Sequence, residues 1–339
     1  MVPEFRTRGH EIPRIVDDIR NLGRDQPSNQ PPPRVAPNHV LYGINHVVIG
    51  PGRSPTRASQ PFRSFPQTDV GHGVKIVVLD TGIIKHPLLA SFDPAEIDPP
   101  NDSPVDSELD FEAGHGTFIE GVIRQYAPAA DVMHKKVLTS EGRVSDTLLA
   151  QRLLSDCGDF DIINLSLGGY THGNAGPFAL PIVLEALRHK NPKQAVVAAA
   201  GNDHTDRPFF PAAMKAVIGV AACDDQDNRA DYSNFGWWVD ARAVGEHVST
   251  FFDLPGQGQP GALNQHNSNQ AAEFDWWASW AGTSFAAPVV VGAVAAEISA
   301  NSGLTAREAA ARLLVVNAPT WKPTLGVRID PTDLTKTAA

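Results

Sequence analysis

Short apolar runs separated by longer mixed segments mark most of the chain. Val74–Asp80, Asp131–Val137, Asp161–Leu167, Ala195–Ala199 and Ala216–Ala221 are such runs, each ending near Gly or a polar residue. They lack the alternation of a half-exposed strand, which is the pattern of parallel strands buried on both faces. Helical segments over Thr117–Arg124, Ser145–Ser155 and Phe178–His189 lie between them. The alternation predicts an α/β fold, a doubly wound, mostly parallel sheet with helices on both faces. A functional site is then expected outside the carboxyl ends of the strands, where Asp80 and Asn202 fall. Thr305 followed by Glu308 predicts a capping box before a helix over Ala309–Val316. The apolar stretch Phe285–Ile298 contains Pro288 and Glu297, so it is a buried helix and not a membrane span.

The beginning of the chain is different. Ile12, Ile15, Val16, Ile19 and Leu22 share one helical face, and Pro31-Pro32-Pro33 follow in a stretch rich in Pro, Asn and Gln. Residues 1–38 are therefore an N-terminal arm and Pro-rich linker, and 39–339 one large domain. Within it His39–Ile49 predicts a strand pair, or one strand bent at Gly43. Residues 255–272, rich in Gln, Asn, Gly and Pro, predict a surface loop insertion.

Composition narrows the classes. A 42% apolar share of 339 residues supports a sizeable core. With 38 acidic against 28 basic side chains and no basic run, nucleic acid is excluded as a main partner. The N-terminus has no apolar core of signal-peptide length, and Cys157 and Cys223 make no disulfide framework. The expected compartment is the cytoplasm, with secretion by another route left open.

Four segments carry candidate chemistry. Ser284 follows Gly282-Thr283 and opens a helix, where free backbone N–H groups and the positive dipole end favour an oxyanion. His115 lies in Gly114-His115-Gly116-Thr117, and an imidazole alone has an ordinary pKa near neutrality. Asp80 ends a run of Ile and Val, where it is partly buried and able to fix one tautomer of His115. Asn202, in Ala200-Gly201-Asn202-Asp203, is placed at a sheet edge to donate to an oxyanion. Each has a plainer reading alone: a helix N-cap, one of 12 histidines, a strand-end turn, a Gly-Asn turn. Their joint occurrence in this order favours acid, base, nucleophile and oxyanion donor.

On these motifs the chain resembles the subtilisin family of serine peptidases, including its leaderless intracellular members, from about Val74 to Val316. Asp161-Ile162-Ile163-Asn164-Leu165-Ser166-Leu167-Gly168-Gly169 adds to the likeness. The resemblance implies that Ser166, Leu167 and Gly168 form one edge for an extended substrate and Gly142, Arg143 and Val144 the other. It also implies a cis bond before Pro211. The expected partner is a protein or peptide bound as an extended strand, with no membrane and no cofactor. The implied activity is serine endopeptidase, of narrow processing or regulatory specificity. A non-catalytic peptide-binding protein on the same fold is the alternative.

Departures from the family pattern bear on specificity. Phe118 and Glu120 stand where the family has His and Ala, and Glu120 is expected on a solvated helix face. Gly121–Tyr126 runs directly into Ala127–Asp131, which leaves no room for the family's calcium loop, so no metal is expected there. The stretch before Asp80 is too short for the usual inhibitory prodomain, and the arm is a candidate plug of the cleft. Trp276, Trp277 and Trp280 precede the serine, and core packing is the expected role. Arg143, Leu167 and these rings hint at pocket walls.

Overall fold

Strands rich in Val, Ile and Ala can be buried on both faces only if helices cover both sides of their sheet. The computed structural model describes residues 35–43, 54–58, 65–66, 68–100, 109–254 and 274–331, with Arg14, Val16 and Asp17. The strands in chain order begin with β1 (Val40–Tyr42), β2 (Thr56–Arg57), β3 (Lys75–Asp80), β4 (Asp131–Lys136), β5 (Arg143–Ser145) and β6 (Ile162–Leu165). They continue with β7 (Ala195–Ala199), β8 (Ile218–Cys223), β9 (Ala241–Val244), β10 (Glu246–Leu254), β11 (Phe274–Ala281) and β12 (Val327–Arg328). The α-helices are α1 (His115–Tyr126), α2 (Asp146–Asp156), α3 (Ala179–Lys190), α4 (Thr283–Ala300) and α5 (Ala306–Val316).

Among the described residues, seven strands form a parallel sheet in the order β12-β9-β8-β7-β6-β3-β4. The chain winds outward from β3 to β4, returns to β6 on the other side of β3, and then winds the opposite way. This is the doubly wound topology, and its switch point lies at the carboxyl end of β3. Asp80 ends that strand, while Ser166 and Asn202 follow β6 and β7 closely.

Period-two geometry divides β3 between two cores. Ile76 and Val78 face the cluster built with α1, α4 and α5, including Phe118, Phe285 and Leu313. Val77 and Leu79 face the cluster built with α2 and α3, including Leu149 and Leu184. Helix α4 alone has the length and apolar character of a membrane span among the described residues, and most of it is buried inside the protein. It is the core helix that its sequence predicts. The capping box also forms, with Thr305 and Glu308 each accepting from the other's backbone N–H.

The expected strands and helices form at nearly the predicted positions. Strand β6 stops at Leu165, and beyond it Gly168 pairs with Tyr42 of β1 and Gly169 with Phe210. The bulk of the arm, residues 44–49 and the 255–272 loop lie outside the described residues. Helix α1 ends at Tyr126, and Ala127–Ala130 alone connect it to β4.

Candidate active site

Asp80 is the last residue of β3 and His115 the first of α1. The helix meets the turn after β3 at Gly116, where a Cβ would lie 2.3 Å from the Gly82 carbonyl oxygen. Glycine there allows His115 to reach Asp80. His115 Nδ1 donates to Asp80 Oδ1 at 2.7 Å, with both side chains fully buried. The Thr81 N–H donates to the same oxygen at 2.8 Å. Trp280 packs edge-on against the imidazole, with ring centroids 5.4 Å apart. Burial pushes the His115 pKa down, but Asp80, Glu112 and Asp98 outweigh it, and the net shift is upward from 6.5.

Ser284 lies in the first turn of α4, where helix amides have no carbonyl one turn back. Asn202 Oδ1 accepts from the Thr283 N–H at 2.8 Å and from Thr283 Oγ1 at 3.0 Å. The Asn202 Nδ2 group has no hydrogen bond among the described residues and remains available to an oxyanion. Ser166 Oγ donates to the Ser284 carbonyl at 2.7 Å, tying the β6 edge to the start of α4. The Ser284 hydroxyl contacts Gly43 O at 3.5 Å and Ser166 O at 3.3 Å. His115 Nε2, buried, makes no hydrogen bond among the described residues.

The two expected substrate edges face each other, and the chain itself lies between them. Val40, Leu41 and Tyr42 pair antiparallel with Ser145, Val144 and Arg143. Tyr42 exchanges backbone hydrogen bonds with Gly168 at 2.7 and 2.8 Å, and Gly43 N–H donates to Gly142 O at 3.0 Å. Leu41 is wholly buried in the cluster that holds Val144 and Leu167. Leu167 is therefore a core residue, and the exposed Arg143 side chain pairs with Glu141 at 3.1 Å.

Beside Asn202 opens a cavity of about 650 Å³. Gly168, Tyr170, Ala199, Gly201 and Phe209 line it. Arg207 stacks over Tyr170 at 4.7 Å, and the Tyr170 hydroxyl donates to Asp203 at 2.6 Å. A mostly apolar wall with a few fixed polar groups suits a side chain of an extended ligand.

The chain matches the subtilase family over residues 71–336. Subtilisin BL of Lederbergia lenta is 31% identical over 236 residues, 66% of this chain and 76% of the relative. The chain belongs to the subtilase family. Subtilisin E of Bacillus subtilis (strain 168) is 31% identical over 280 residues, 77% of this chain and 61% of the relative. A solved cold adapted subtilisin-like serine proteinase superposes with a TM-score of 0.57 at 23% identity, covering 81% of this chain and 94% of its own. A protease from Pseudoalteromonas arctica gives 0.58 at 23%, covering 80% and 92%. The relatives make this subtilase a serine protease in general terms, and the solved structures match its fold.

Several site residues of this subtilase escape sequence reading. Asp98 lies behind the Asp80–His115 pair, accepting from Thr81 Oγ1 at 2.6 Å and from the Gly114 N–H at 2.8 Å. Burial pushes its carboxyl up to about 7 against those bonds and Lys136. Glu112, also buried, puts Oε2 4.0 Å from His115 Nε2. No motif marks either acid. Tyr170 and Asp203 adjoin recognised segments, and that adjacency was their available signal.

The solvated face expected for Glu120 is overturned. Its carboxylate is fully buried, bonded to His134 Nε2 at 2.8 Å, Arg124 Nε at 2.6 Å and Ser91 Oγ. These partners, Arg124 one turn on and His134 and Ser91 from other segments, make burial tolerable. Phe118 fills core against Phe285, with centroids 4.5 Å apart. Trp280 is buried as expected, whereas Trp276 and Trp277 pack around His86 at 5.2 and 5.3 Å. The Phe210–Pro211 bond is cis, as the resemblance implies.

Proposed function

We propose that this subtilase is a serine endopeptidase with Ser284 as nucleophile, His115 as base then acid, and Asp80 orienting the imidazole. The observation that carries it is the buried 2.7 Å Asp80–His115 bond, in a fold that also sets the Ser284 hydroxyl against the Ser166 edge, 3.3 Å from its carbonyl oxygen. Attack by Ser284 Oγ on a substrate carbonyl carbon passes the hydroxyl proton to His115 Nε2. The developing oxyanion takes hydrogen bonds from the Ser284 N–H and Asn202 Nδ2. Collapse breaks the C–N bond, and His115 returns the proton to the leaving amine. Water then hydrolyses the acyl-enzyme by the same steps.

Substrates bind as an extended strand between Gly142–Val144 and Ser166–Gly168. The pairing of β1 with both edges supports this mode. Main-chain hydrogen bonds give affinity there, and side-chain pockets give choice. Occupancy by β1 also supports a restricted peptidase, one that acts once its own segment is displaced. The plug is then Val40–Gly43, just after the arm and not within it.

A peptide-library digest tests the reading. The full chain should cut a subset of sequences, and Ser284→Ala should cut none. Equal cutting by both proteins would end it.

A further inference from the structure

Glu112 takes no part in the proposed chemistry, yet its side chain is wholly buried. Its N–H donates to the Ser140 carbonyl at 2.8 Å, which fixes the backbone. The side chain then crosses Gly142. A Cβ at Gly142 would lie 2.4 Å from Glu112 Cγ, and the φ of +75° at that residue also favours glycine. The bare backbone at Gly142 lets the Glu112 carboxylate reach past it, to 4.0 Å from His115 Nε2.

There the carboxylate meets the chain's own segment. A Cβ added to Gly43 would stand 3.1 Å from Leu138 Cδ1 and 3.4 Å from Glu112 Oε2. A methyl group fits once the Leu138 side chain yields by a few tenths of an ångström. Leu138 and the carboxylate are the nearest neighbours that a longer side chain meets at its Cβ. β-Branched residues fare worst, because they place two heavy atoms at that level with a restricted χ1. Leu138 and Glu112 are both buried, and close-packed interiors give way little.

We propose that Leu138 and Glu112 together make the cleft position held by Gly43 selective for glycine, with alanine the largest residue readily accepted. This inference rests on the reading that β1 lies where substrates bind. Selection is by shape and not by charge. The carboxylate already stands in van der Waals contact with that Cβ position, 3.4 Å from Oε2. The resident segment satisfies the same rule as the substrates that displace it.

The test uses the full chain and peptides of sequence 39–46 with Gly, Ala, Val or Arg at the Gly43 position. Gly and Ala peptides should be cut, and Val and Arg peptides about tenfold more slowly or worse. Within Glu112→Ala the Val penalty should shrink. Within Glu112→Gln it should persist, since the amide has the same size. Equal cutting of Gly and Val peptides, or a preference for Arg, would overturn the inference.

A second measurement does not depend on turnover. In Ser284→Ala protein, hydrogen exchange should find the Tyr42 and Gly43 amides protected. Gly43→Val should abolish the protection of Tyr42, and adding Glu112→Ala should restore part of it. Protection that survives Gly43→Val overturns the inference, whatever the protein cuts. Failure to cut any peptide, with the exchange pattern as expected, would count against the peptidase reading alone.

Discussion

Asp80 Oδ1 stands 2.7 Å from His115 Nδ1, and neither side chain reaches solvent. The pair therefore holds its geometry and tautomer without competition from water. Asp80→Asn removes the acceptor that fixes the Nδ1–H form. It should lower kcat on the order of 10⁴-fold with little change in KM. Steady-state kinetics on a cut peptide checks this, and a loss under tenfold would remove Asp80 from its assigned role.

Asn202 is proposed to have two duties, since Oδ1 holds the Thr283 amide and hydroxyl while Nδ2 makes no hydrogen bond among the described residues. Asn202→Ala should lower kcat by roughly a hundred- to a thousand-fold, the scale known for the equivalent subtilisin donor. It should also lower stability by about 1 kcal/mol through the lost cap. A thermal melt beside the kinetics separates the two. A stability loss with kcat intact would leave Asn202 as a helix cap only.

The upward shift of His115 has a definite sign in activity. The base must be neutral, so kcat/KM should fall as pH drops through a midpoint above 6.5. Glu112 and Asp98 both contribute to that shift by their charge. Glu112→Gln and Asp98→Asn should each move the acid limb to lower pH. A pH–rate profile that stays in place for both variants would contradict the electrostatic account.

Asp98 is also a stability group. Its folded pKa of about 7 lies above its ordinary 3.8. The stability it contributes is full below about pH 4 and is lost as pH rises through 7. The loss is bounded at about 4 kcal/mol. Asp98→Asn keeps an acceptor for Thr81 and Gly114 without the buried charge. Its Tm relative to the parent should therefore improve between pH 4 and pH 8. A difference that does not change with pH would mean that Asp98 is ionised at little cost.

Leu41 anchors the resident segment through its burial beside Val144 and Leu167. Leu41→Asp would put a carboxylate into that apolar cluster, so the segment should leave the cleft. Peptide turnover at low substrate should rise several-fold. Unchanged turnover would mean that β1 does not limit access.

Local signals carried the fold a long way. Unalternating Val and Ile runs announce buried parallel strands, and Thr305 with Glu308 announces its cap, because both depend on neighbours in sequence. The candidates Asp80, His115, Asn202 and Ser284 stood out for the same reason, each set in a motif near an element's end. Long-range pairing is what the sequence hid. Glu120 lies on a helix whose partners His134 and Ser91 come from elsewhere, so periodicity alone assigned it to solvent. The place of Val40–Tyr42 between the two edges depends on residues more than a hundred positions away. Glu112 and Asp98 are single acids whose meaning arises only where three segments converge.

The central claim is that Ser284 is an activated nucleophile. The direct measurement is intact-mass and peptide-mapping spectrometry after exposure to a fluorophosphonate, with Leu41→Asp included as the protein whose cleft is opened. The account predicts one adduct, mapped to Ser284, formed faster in Leu41→Asp and absent from Ser284→Ala. No adduct in the opened protein, or an adduct that persists in Ser284→Ala, would contradict it.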